Sequence, residues 1–189
     1  MSTFTKQAIQ AAFMQLLDQK PLDQITVRDI VETCGVSRNS FYYHFSDIPS
    51  MVTDLITQRS DDIIAQYGTV DTLEECLQAA VDFAREHKRA VLHMYRSANR
   101  QAVEEHLMRI CRHAVERYAD AAIGDTGVTA EDREILIRFF QCELFGQMVA
   151  WLGDGMRYDI EAQFHRLCQV MHGMTQGLIH RCAEDAAGG

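Results

Sequence analysis

The sequence predicts an all-α protein in two parts: an N-terminal three-helix head with a helix-turn-helix, residues 1–48, and a larger helical region, 49–189, about nine helices in all. Three observations carry that expectation. Only two prolines, Pro21 and Pro49, occur in 189 residues, while the good helix formers Ala, Leu, Met, Gln and Glu are frequent. Apolar residues, 47% of the chain, recur at helical rather than alternating spacing. Near the N-terminus a glycine and two capping residues punctuate a run of short helical segments.

The elements follow in order. Ile9, Ala12, Phe13, Leu16 and Leu17 fall on one face of a first helix, which ends before Pro21 because proline cannot continue the hydrogen-bond ladder. Thr26 with Asp29 three residues on is a capping-box pattern for a second helix, whose stripe is Val27, Ile30, Val31 and Cys34. Gly35 supplies a sharp turn and Ser37 a second cap, so residues 38–45 form a third, short helix. Asp47 and Pro49 open a fourth, apolar at Val52, Leu55, Ile56, Ile63 and Ile64, running to about Tyr67. After Gly68, helical patterns cover 71–87, 89–99, 101–123, 130–152 and 160–185, with Thr129 capping the fourth of these. There is no internal repeat.

Residues 35–45, GVSRNSFYYHF, carry the chemistry. At 100° per residue Phe41 and Phe45 fall together as the buried stripe. Asn39 and Tyr43 fall opposite, with Ser40 and His44 on one flank and Tyr42 on the other. No carboxylate lies between Gly35 and Ser46. A surface meant to lie against phosphates and base edges excludes negative charge and offers donors. Asn pairs bidentately with adenine, and Ser, Tyr and His reach phosphates. Thr26 and Arg28 on the second helix are placed to hold the backbone.

Charge sets limits on this surface. The net charge of −9 argues against broad nonspecific nucleic-acid binding. Residues 1–60 are nearly balanced, with five basic side chains against six acidic ones; residues 61–189 hold 13 and 21. The acidity therefore sits in the second region. No apolar run approaches the ~20 residues that span a bilayer, and no secretory signal opens the chain, so a cytoplasmic protein without a membrane partner is expected. Six cysteines without a CxxC pair form neither a disulfide framework nor a zinc knuckle.

ITVRDIVETCGVSRNSFYYHFSD resembles the DNA-binding signature of TetR/AcrR-family transcriptional regulators, over residues from about 5 to 60. The resemblance lies in the apolar spacing, Gly35-Val36-Ser37 and the aromatic run Phe41-Tyr42 to Phe45. AWLGDGM resembles one C-terminal subgroup more weakly. The resemblance implies a homodimer that binds double-stranded, roughly palindromic operator DNA. Asn39, Ser40 and Tyr43 would then face the major groove. Thr26, Arg28, Ser37, Tyr42 and His44 would contact the backbone, and Arg38 belongs to the same surface. One position departs. Many family members carry lysine at the start of the fourth helix, where this chain has Ile48 and Pro49 beside Asp47. Losing that cation predicts weaker affinity and a flatter salt dependence.

The resemblance also implies that a small-molecule effector binds among helices five to eight; Met94, Tyr95, Phe139, Phe140, Cys142 and Trp151 are the candidate contacts. The last two predicted helices are apolar over more than one face. Phe139, Phe140, Leu144, Phe145, Met148, Val149, Trp151 and Leu152 cannot all enter one monomeric core. The spacing puts Gly173 and Gly177 one turn apart on the final predicted helix, where a glycine is costly unless another backbone approaches. A homodimer through these two helices satisfies both observations. His165, Cys168 and His172 share a helical face, yet the two histidines stand ~10 Å apart, too far for one tetrahedral ion, and no metal or other cofactor is expected. No P-loop, GxSxG or HExxH motif suggests an enzyme. The competing reading is a TetR-like dimeric adaptor or co-regulator with weak or lost DNA binding.

Overall fold

The computed structural model describes residues 2–66, 72–124, 126–171 and 173–188. Tyr67, Gly68 and His172 lie outside them. Ten α-helices occur among the described residues: α1 (Ser2–Leu17), α2 (Val27–Cys34), α3 (Arg38–His44), α4 (Ile48–Gln66), α5 (Leu73–Glu86), α6 (Lys88–Tyr95), α7 (Arg100–Ile123), α8 (Ala130–Gly153), α9 (Ile160–Val170) and α10 (Met174–Gly188). A short 3₁₀ turn, Leu22–Gln24, joins α1 to α2. The extra helix arises because the segment expected as one helix over 160–185 holds two, α9 ending at Val170 and α10 starting at Met174. Gly173 has φ +78°, the left-handed conformation that ends a helix. Gly173 and Gly177 therefore do not share a helix face.

Packing divides the chain into two compact units, residues 1–61 with 84–106, and 62–83 with 107–189. The first unit extends beyond the head because α6 joins its core, and a helix distant in sequence gives no local signal of that.

In the first unit Ile9, Phe13 and Leu17 of α1, Ile30 of α2 and Phe41 of α3 are wholly buried together. Each belongs to the predicted stripe of its helix. Met51, Val52 and Leu55 of α4 complete this core, and Ala90 and Met94 of α6 enter it. His93 holds α6 to the end of α1: its ring Nδ1 lies 2.6 Å from the Leu17 carbonyl oxygen, which can only accept, so Nδ1 is the donor. Lys6 bonds Asp54 at 2.9 Å, linking α1 to α4.

The second unit is held by α7 and α8. Arg112 forks onto both carboxylate oxygens of Glu134, at 2.9 and 2.8 Å, and also meets Glu116 at 2.8 Å. Gln141, buried on α8, donates to the Met108 carbonyl. By length and apolar content α8 could cross a bilayer. It nevertheless carries Arg138 and Glu143 along its length and buries Phe140, Leu144, Met148 and Trp151 within its own unit, the pattern of a core helix.

Phe41→Ala would remove the only α3 side chain that is wholly buried. A loss of about 3–5 kcal/mol is expected in urea unfolding, the usual cost of emptying a phenylalanine site.

Candidate nucleic-acid interface

Local chemistry builds the α2–α3 pair. Thr26 and Asp29 form the full capping box: Asp29 N–H donates to the Thr26 hydroxyl and the Thr26 N–H to the Asp29 carboxylate. Lys20 adds an ion pair to the same carboxylate at 2.9 Å. The Lys20 bond and then the two Thr26 bonds hold Asp29 down at about 2. Gly35 closes α2 at φ +70°, and the Val36 N–H returns to the Val31 carbonyl. Ser37 then caps α3 by accepting from the Ser40 N–H, and the two hydroxyls share a hydrogen bond of 2.9 Å.

Because Phe41 and Phe45 face the core, the opposite side of α3 stands in solvent. Tyr43 is 77% exposed and Tyr42 56%. Arg38 and Asn39 are also exposed, while Ser40 and His44 are half-buried. Tyr43 and His44 meet edge to face with centroids 4.9 Å apart, so the histidine ring buttresses the tyrosine. Thr26, Arg28 and Ser37 are exposed on the neighbouring turns. The nine candidate residues thus lie on two adjacent helices and their caps, which hold Thr26 and Ser37 in fixed geometry.

The cations of this unit are less available than the sequence suggests. Arg28 is paired with Glu32 at 2.6 Å, a bond that raises the guanidinium pKa further, and must exchange it to reach a phosphate. Lys6 is held by Asp54 and Lys20 by Asp29. Arg38 makes no such pair among the described residues. The Arg28–Glu32 pair was readable from its i, i+4 spacing; Lys6–Asp54, far apart in sequence, was not.

Domain models match both parts of the chain. Residues 9–53 match "Bacterial regulatory proteins, tetR family", and residues 71–173 match "Transcriptional regulator C-terminal region", a TetR C-terminal domain. The chain belongs to the TetR family. This TetR-family transcriptional regulator shares its fold with the dihydroxyacetone kinase operon activator DhaS, at a TM-score of 0.74 and 13% identity, over 91% of this chain and 96% of that one. It also resembles NalD of Pseudomonas aeruginosa, the secondary repressor of the MexAB-OprM multidrug efflux pump, at a TM-score of 0.57 and 18% identity, over 90% and 94%. No curated protein matches it.

The six effector candidates of the TetR-family chain are divided between the two units, Met94 and Tyr95 in the first and the other four in the second. Met94 lies in the core of the first unit. Tyr95 is also buried there, covered by the Arg100 guanidinium at 4.6 Å, and its hydroxyl has no hydrogen-bond partner among the described residues. In the second unit Trp151 is buried and donates to the Tyr158 carbonyl. Phe139 and Cys142 are exposed on α8. Phe140 lines a cavity of about 320 Å³. Aromatic and sulfur content marked these residues equally; what separates them is the side of the helix each occupies.

Asp29 makes the α2 cap sensitive to acid. Its folded pKa lies below the ordinary aspartate value of 3.8, so its contribution is complete above that value and fades as pH falls toward about 2. Thermal melts from pH 5 to pH 2 are expected to show a smaller fall in Tm for Asp29→Asn than for the parent chain.

Proposed function

We propose that this TetR-family chain is a cytoplasmic, ligand-responsive repressor that binds a palindromic operator as a homodimer. The observation that supports this most is the exposed, carboxylate-free face of α3, with Asn39 and Tyr43 directed away from a core anchored by Phe41. In this reading Asn39, Ser40 and Tyr43 contact base edges, and Thr26, Arg28, Ser37, Arg38, Tyr42 and His44 contact the backbone. Two such heads related by twofold symmetry meet half-sites about 34–36 Å apart, or a multiple of that. Occupancy of a promoter by the dimer blocks transcription, and an effector acts through unequal affinity for the DNA-competent and DNA-incompetent states.

Dimerisation is supported by one face of α8. Ile135, 59% exposed, Phe139, 49%, and Cys142, Gly146 and Val149 follow one another at helical spacing. A Cβ placed on Gly146, or on Gly177 of α10, would meet nothing within 4 Å. Each glycine costs its helix about 1 kcal/mol relative to alanine, a cost that close approach of a second copy offsets. Pairing through α8 and the C-terminal helices would cover this face.

A second reading has a specific observation behind it. Ile48 in place of the family lysine, together with the pairing of Lys6, Lys20 and Arg28 to acids, favours a dimeric adaptor with weak or lost DNA binding.

Gel retardation separates the two, using the DNA upstream of the chain's own gene and duplexes selected from a random pool. The operator reading expects a retarded complex on a twofold-symmetric sequence, lost in Tyr43→Ala. Ile48→Lys should tighten binding and steepen the plot of log affinity against log salt by about 0.9 per added phosphate contact. No complex at low salt favours the adaptor, and a complex indifferent to Tyr43→Ala removes α3 as the reading face.

Sedimentation tests the dimer. Phe139→Glu should weaken self-association ~30-fold or more, corresponding to the ~2 kcal/mol of an interface hot spot. A variant that remains fully dimeric contradicts the α8 face.

A further inference from the structure

One cavity of the second unit, the one that Phe140 lines, has a definite chemical character. It lies among the start of α5, α7, α8, α9 and the turn into α10, and its volume of about 320 Å³ falls in the range of small-molecule sites. Tyr118, Phe140 and Phe164 give it aromatic walls. Among the described residues the charged ones lining it are Glu74 and Glu143, and no lysine or arginine does. Cys168, on the same wall, remains a neutral thiol: burial first, then the negative charge of Glu74 and Glu143, push it to about 12. The nearby partners do not cancel the field. Gln147 donates to Glu143 at 2.8 Å but is uncharged. His165 stands 3.6 Å from Glu74 with most of its side chain in solvent.

We propose that this cavity binds an organic monocation with a small aromatic or branched apolar body, its charge set against Glu74 and Glu143 and its body against the aromatic walls. Other ligand classes fit less well. An anion meets two carboxylates and no base. A neutral apolar ligand would strip water from those carboxylates without replacing it. A bare metal ion calls for six or more oxygen donors, or a cluster of ligands that the described residues do not supply. A cation satisfies both carboxylates and also gains from the faces of the rings. Only its consequence for DNA rests on the effector reading above; binding itself does not.

The test is calorimetric titration of the full chain, without DNA, at pH 8, above the ordinary histidine range. Benzyltrimethylammonium is the probe; benzyl alcohol and phenylacetate are neutral and anionic controls of similar size. The cation should bind roughly tenfold or more tightly than either control, and Glu74→Gln with Glu143→Gln should remove roughly that advantage. If the double variant does not fold, titration of the parent chain at rising salt decides: affinity for the cation should fall while that for benzyl alcohol holds. The proposal is overturned if the cation shows no saturable binding, if a control binds as tightly, or if the folded double variant retains the preference. Because no DNA is present, that failure is distinct from failure to bind an operator.

Discussion

The rotational setting of α3 is the constraint on which the rest of the head depends. Phe41 on α3 is wholly buried, and Phe45, the extended residue that ends the helix, is nearly so; two aromatic rings anchored one turn apart leave α3 little freedom about its axis. Asn39 and Tyr43 are then directed toward solvent by this setting, with the His44 ring against Tyr43 as a local support. The capping box at Thr26, the left-handed turn at Gly35 and the Ser37 cap set where α3 begins, and α1 and α2 pack against it. With so short a helix, little of this orientation is intrinsic; tertiary burial provides it.

Charge is distributed sparingly over the same surface. The acid-free stretch from Gly35 to Ser46 removes repulsion, but little positive charge replaces it, since Arg28, Lys6 and Lys20 are each spent on a neighbouring acid. Ile48 continues the pattern, turning a position that carries lysine in many relatives into one packed against the core. On the proposed operator reading, such a head would rely on shape, hydrogen bonding and the doubling of contacts in a dimer more than on a general attraction to phosphate.

Features written in adjacent residues were legible in the sequence. The stripe of α1, the Thr26–Asp29 box, the turn at Gly35 and the division of 35–45 into buried and exposed halves each depend on spacing within a few residues. Features that depend on distant segments were not. Met94 and Tyr95 were marked by composition, and nothing local says that α6 buries both within the first unit. The break at Gly173 is hidden in a segment whose apolar pattern continues on both sides. Nothing local in the sequence says that α5 and α8 carry Glu74 and Glu143 to the same cavity. The exposed row from Ile135 to Val149 was signalled by an excess of apolar side chains, although which of them stay uncovered depends on the packing of α7 against α8.

The central claim is that the solvent face of α3 touches bases, and photo-crosslinking tests it most directly. With p-benzoylphenylalanine in place of Tyr43, the account predicts crosslinks to two base positions related by the twofold axis of the selected duplex, and none from the same group in place of the buried Phe41 in any folded sample. A retarded complex that crosslinks to no base from position 43 would contradict it.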